Sequence, residues 1–141
     1  MRLNRHVSVR AITYWTSTSL VALAFLSGGL ASAAGSAQQV QGMTALGYPA
    51  YFVTMLGIWK CLGAITLVAP RFPRLKEWAY AGIAFDLIGA AASHFAVGHS
   101  MGKIAVPLVL LAITAASWSL RPSGRRLQLP PRATPSSFAL V

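Results

Sequence analysis

YPAYFVTMLGIWKCLGAITLVAPRFPRLKEWAYAGIAFDLIGAAASHFAV, Tyr48–Val97, is the stretch that decides the fold. It holds two apolar runs, about 48–69 and 78–97, joined by the short basic segment Pro70 to Glu77. Lys60 is the only charged residue in the first run, and Asp86 is the only one in the second. Lys60 stands about ten residues before the joining segment and Asp86 about nine after it. Helices rising ~1.5 Å per residue place each charge ~15 Å from the same membrane face. The hydrocarbon core is ~30 Å thick, so both charges reach its midplane at matched depth. An ionisable group there costs about 2.5–3.5 kcal/mol on insertion scales and by default marks a paired or functional position.

Two further apolar segments flank this hairpin, about 11–34 and 104–120, and all four are close to the length a spanning helix needs. Alternating strand-length runs are absent, which argues against a membrane β-barrel. The expected fold is therefore all-α, a polytopic membrane four-helix bundle over residues 1–120. A basic, Pro-rich tail follows over 121–141 and reads as disordered. Basic residues mark alternate flanks. Arg2, Arg5 and Arg10 precede the first segment, Arg71, Arg74 and Lys76 lie in the middle loop, and Arg121, Arg125, Arg126 and Arg132 follow the last. The loop 35–47 carries no charge and the loop 98–103 carries one Lys. The positive-inside rule then puts both termini and the middle hairpin on the cytoplasmic side of the membrane. Tyr14, Trp15, Trp78, Tyr80 and Trp118 are placed at the inner interface, and Tyr48 and Tyr51 at the outer. The tail arginines can touch anionic lipid at ~1 kcal/mol each or serve simply as a stop-transfer flank.

The chain has 141 residues, of which 55% are hydrophobic and 10% charged, with net charge +10. Such a charge can signal nucleic acid, but here it collects at the ends of apolar segments, so the bilayer is the expected partner. Cys61 has no second cysteine to pair with and reads as a small apolar residue. No spacing of Cys and His suits a metal, no Gly-rich phosphate loop follows a strand, and no nucleophile–base set stands out. No catalytic residue is assigned. Ala31-Ser32-Ala33 after an apolar run resembles a signal-peptidase site. The run is nonetheless long enough to span, and small residues also suit helix packing in lipid.

The helical repeat places Leu56, Gly57, Gly63 and Ala64 on the Lys60 face, and Gly82, Gly89, Ala90 and Ser93 on the Asp86 face. Small residues allow close approach, so the two faces are expected to meet and pair the charges. Such a pair either fixes helix rotation or forms a polar site for a proton, an ion or a small molecule; depth and spacing do not separate these roles. Ser93 and His94 extend a potential polar track from Asp86 toward the outer surface. Trp59, Trp78 and Tyr80 are aromatics that flank this polar set.

Four stretches carry a family resemblance: Gln41 to Phe52, Leu56 to Ala64 with Gly-x-x-Lys60, Pro70 to Gly82 with Pro-x-Phe-x-Arg-x-Lys-Glu-Trp, and Phe85-Asp86 to His94. Together they closely resemble the DoxX-like family of small bacterial membrane proteins over about 38–98. The resemblance implies a four-helix membrane bundle, with Lys60, Asp86 and His94 at recurring polar positions. The family's namesake is a membrane subunit of a thiosulfate:quinone oxidoreductase. The resemblance thus implies an accessory component of a quinone-linked redox system, without catalysis of its own, with Trp59, Trp78 and Tyr80 beside Lys60, Asp86 and His94 as groups of the kind a quinone site uses. Two other readings stay open: a small transporter or proton-conducting bundle, and a structural subunit or homo-oligomer within a larger membrane complex. Relatives often carry a Lys near the end of the first helix and an acid where Gln41 stands. Here the first helix ends Ser27-Gly-Gly-Leu-Ala-Ser.

Overall fold

The computed structural model describes residues 8–127. They form five α-helices: α1 (Val9–Ala33), α2 (Ala37–Ala45), α3 (Ala50–Val68), α4 (Pro73–Ala96) and α5 (Met101–Leu120). A single 3-10 turn follows at Ser123–Arg125. No strand occurs among the described residues. The ends follow local chemistry. Ser8 accepts the Ala11 N–H at 3.2 Å and starts α1. Pro49 precedes α3, and Pro73 occupies the first turn of α4, where a missing N–H costs no helical bond. Gly35, Gly47 and Gly98 take positive φ in the turns that follow α1, α2 and α4.

Three boundaries differ from the sequence expectation. The uncharged loop 35–47 contains α2, a helix with no buried residue, which its weak apolar pattern did not announce. The middle helix starts at Pro73 rather than near 78, because the basic segment itself is helical. After α5 the chain stays tied to the helices by arginines: Arg121 is buried, and Arg125 and Arg126 donate to carbonyls of α3 and α5. Residues 128–141, the rest of the expected tail, and residues 1–7 lie outside the described residues.

Each long helix buries one stripe with steps of three, four or seven. In α1 it is Tyr14, Thr18, Val21, Phe25, Gly29 and Ser32; in α3, Val53, Gly57, Ala64 and Leu67; in α4, Lys76, Tyr80, Ile83, Leu87 and Ala91. The core joins Val21, Ala22 and Phe25 of α1 to Ala64 and Leu67 of α3 and to Tyr80, Ile83 and Leu87 of α4. Helix α1 packs on α3 and α5, and α4 packs on α3 and α5. The start of α1, the end of α3, the start of α4 and the end of α5 meet at one end, through Thr18, Leu67, Lys76, Tyr80 and Ser117. The end of α1 meets the start of α3 at the other, where Gly29 lies against Gly57.

The outward faces are apolar as well. Leu20, Leu23, Leu30, Ile58, Leu62, Ile65, Phe85, Val106 and Val109 are all exposed. Helices that are apolar on both faces need a nonaqueous solvent. α1, α3 and α5 are long and apolar enough to cross a membrane. α4 matches them in length, but Arg74, Lys76, Glu77 and Asp86 dilute its apolar content.

Candidate functional site

The two charges of the hairpin meet. Lys60 Nζ stands 3.4 Å from Asp86 Oδ2, and their side chains are 27% and 14% exposed. The ammonium also lies 5.6 Å from the centre of the Phe25 ring, a cation–π contact from α1. No other hydrogen-bond partner of either side chain occurs among the described residues. The α3–α4 seam holding the pair is the most sparsely packed of the four seams between long helices.

The reason for that looseness departs from the sequence expectation. The small face of α4 does not press onto α3: a Cβ at Gly82 or Gly89 would meet nothing within 4 Å. The close approach is between α1 and α3. A Cβ on Gly57 would lie 2.4 Å from Ala33 N and 2.7 Å from Gly29 O, and one on Gly29 would lie 2.9 Å from Cys61 Sγ. The small residues ending α1 therefore have a packing role.

The remaining site candidates separate. Ser93 Oγ pairs with Tyr48 Oη at 2.8 Å and donates to Gly89 O at 2.8 Å. His94 Nδ1 lies 2.7 Å from His99 Nδ1, so one ring donates and the other accepts. Asp86, Ser93 and His94 share a helix but are not linked by a chain of hydrogen bonds. Trp59 and Trp78 are 67% and 78% exposed and point outward, away from the pair. Tyr80 is buried, but its hydroxyl bonds Ser117 Oγ at 2.7 Å, toward the other end of α4. The structure thus assembles Lys60 and Asp86 and leaves the three aromatics elsewhere. No group of three metal-ligating side chains occurs among the described residues.

A second polar cluster, at the end where the 3-10 turn docks, was not singled out by the sequence. Lys76 is 1% exposed. Its ammonium donates to Thr66 O at 2.7 Å, to Leu67 O at 3.0 Å and to Ala69 O, closing the last turn of α3. Burial, followed by Arg125 and Arg121, lowers its pKa to about 8. The three carbonyls engage every N–H of the charged form, which still predominates at neutral pH. Glu77 accepts from Trp118 Nε1 at 2.9 Å and from Arg121 Nη2 at 2.8 Å. Burial acts to raise the Glu77 pKa, but these two donors outweigh it and hold the carboxyl below its ordinary value. Thr18 and Tyr80 hydroxyls both meet Ser117 Oγ at 2.7 Å. Arg125 donates to Leu67 O, Val68 O and Tyr14 Oη. The available signal was Lys76 itself: a cation that follows a helix end by one short turn is positioned to cap it.

A family model described as the DoxX-like family matches residues 16–117. No curated protein and no solved structure matches the chain.

Proposed function

The chain belongs to the DoxX-like family, and on that premise we propose that it is an accessory component of a quinone-linked membrane redox system, with Lys60 and Asp86 as its ligand site. In this reading α1, α3, α4 and α5 form a four-helix bundle across the bacterial inner membrane, both termini cytoplasmic. The span of α4 begins at Trp78, so Lys76 and Glu77 stand at the cytoplasmic interface. The charge distribution of the flanks supports that orientation.

The observation that carries the proposal is the incomplete enclosure of the ion pair. A purely structural pair in lipid gains from being sealed and fully hydrogen-bonded. Here a single contact joins the two side chains, both keep some accessible surface, and α4 is open to the outside at Gly82 and Gly89, one turn either side of Asp86. A ligand entering from the hydrocarbon must itself be apolar and must carry a polar head to meet the pair. A quinone has that chemistry. The Lys60 ammonium can donate to a quinone carbonyl, and the Asp86 carboxylate can accept a quinol hydroxyl. The electrons belong to the quinone and to a partner protein; this chain supplies binding and a place for the proton.

The test is titration of the purified, nanodisc-embedded protein with a short-chain ubiquinone or menaquinone, read by thermal shift and by the quinone's absorbance. Binding is expected in the wild type and is expected to vanish in Lys60→Met. Unchanged melting and spectra in the wild type would overturn the reading. One observation favours a second reading. The hydrogen bond between His94, on the same helix as Asp86, and His99, in the turn that follows it, is the kind of pair a proton-conducting bundle uses. Proteoliposomes with an internal pH-sensitive dye separate the two: flux no greater than in empty liposomes removes that alternative.

A further inference from the structure

A cleft of about 400 Å³ opens where the start of α1 meets the end of α5. Ser8, Arg10, Arg121, Ser123 and Arg126 contribute to its lining, and no acidic residue does. Arg10 and Arg126 bring two positive charges without an ion pair among the described residues to one cleft, and these repel one another unless an anion joins them. Ser8 also begins the 25-residue α1, whose N-terminal dipole adds partial positive charge there. From this set we infer that the cleft is a binding site for a tetrahedral oxyanion, supplied by the phosphate of an anionic lipid headgroup or by free phosphate.

Two further observations support a built site. Arg126 is held in place by backbone carbonyls: its Nε donates to Arg121 O and its Nη2 to Ser119 O, each at 2.7 Å. A guanidinium fixed before binding loses little entropy when an anion arrives. Arg121 is 3% exposed, with Nε on Trp118 O and Nη2 on Glu77 Oε1. Its guanidinium also lies 5.0 Å from the centre of the Tyr80 ring and 5.3 Å from that of Trp118, so Arg121 fixes the cleft's inner wall and leaves the uncompensated charge to Arg10 and Arg126. Glu77 offsets one of the three charges, and the other two arginines of the cleft make no ion pair among the described residues. Arg125, the neighbour in sequence, is engaged with Leu67, Val68 and Tyr14 instead. The cleft also sits at the ends of two helices apolar enough to span, which is headgroup level for a lipid. This inference does not depend on the role of Lys60 and Asp86.

The experiment is native mass spectrometry and thermal shift on the full chain in detergent. The additives are phosphatidylglycerol, phosphatidylcholine, or inorganic phosphate at matched ionic strength. Phosphatidylglycerol is expected to be retained at one molecule per chain and to raise the melting temperature; phosphatidylcholine is not. If inorganic phosphate protects equally, the oxyanion site stands and its source is the free ion. Arg10→Gln and Arg126→Gln should each weaken retention about fivefold. No side-chain hydrogen bond of Arg10 occurs among the described residues, so Arg10→Gln leaves the fold undisturbed and keeps the test valid if Arg126→Gln fails to fold. Arg74→Gln, on the α3–α4 side, measures the general attraction of a basic surface. Equal loss in Arg74→Gln, or no loss in Arg10→Gln, would overturn the proposal.

Discussion

The ion pair in the middle of the helices and the polar cluster at the docked end use similar residues in opposite ways. At the docked end nearly every polar group is saturated. Lys76 spends all three donors on carbonyls, Glu77 takes two donors, and Ser117 joins two hydroxyls. At mid-depth, Lys60 and Asp86 have one another and the face of Phe25. Saturated polar groups hold helices in place. In the proposed reading, an undersatisfied pair at mid-membrane depth leaves room for something else to bind, because a ligand's polar head can complete what the protein leaves open.

The comparison can be broken by mutation, and the largest effect should fall on the seam beneath the pair. Gly57→Ala puts a methyl against the α1 backbone, which cannot yield as a side chain would. A loss of about 3 kcal/mol is expected, read as a lower melting temperature in detergent. Lys60→Met should cost about 2.5 kcal/mol by stranding Asp86 near the midplane. Lys60→Met combined with Asp86→Leu should recover most of that. A folded double variant that retains quinone binding would refute a ligand role for the pair and leave it purely structural.

At the docked end, Lys76→Met should cost about 2 kcal/mol, since three carbonyls lose a charged donor and only interfacial water can replace it. Quinone binding should be unaffected; its loss would mean that the two regions are not separable. The smallest effect is a pH dependence. The folded pKa of Glu77 lies below its unfolded value. Its contribution is therefore fully present above the unfolded pKa and is lost as pH falls through the folded one. The melting temperature should drop more between pH 5 and pH 3 in the wild type than in Glu77→Gln. Parallel curves would show that the Trp118 and Arg121 contacts contribute nothing in solution.

Much of this was legible in the sequence for reasons of solvent. A charge in the centre of an apolar run is readable because so few arrangements tolerate it, and Lys60 and Asp86 do meet. Trp59, Trp78 and Tyr80 were not placed relative to the pair by the sequence, because aromatics serve equally at lipid-facing, interfacial and core positions. Only packing tells which, and it turns the two tryptophans outward. The small residues of α4 misled. A glycine permits close approach without requiring it, and Gly82 and Gly89 meet no neighbour.

Sequence by itself determined the all-helical class, the family, the near-positions of the long helices and the place of the two charges near the middle of their helices. These follow from hydropathy and rise per residue, which are local. Tertiary structure alone decided that α1, not α4, makes the close contact with α3. It also decided that Lys76 closes α3, that Arg121 and Arg125 dock onto the helices, and that three arginines converge on one cleft. Those outcomes depend on helix rotation and on the path of the chain after Leu120, where many sequence-compatible arrangements differ by only a few side-chain contacts.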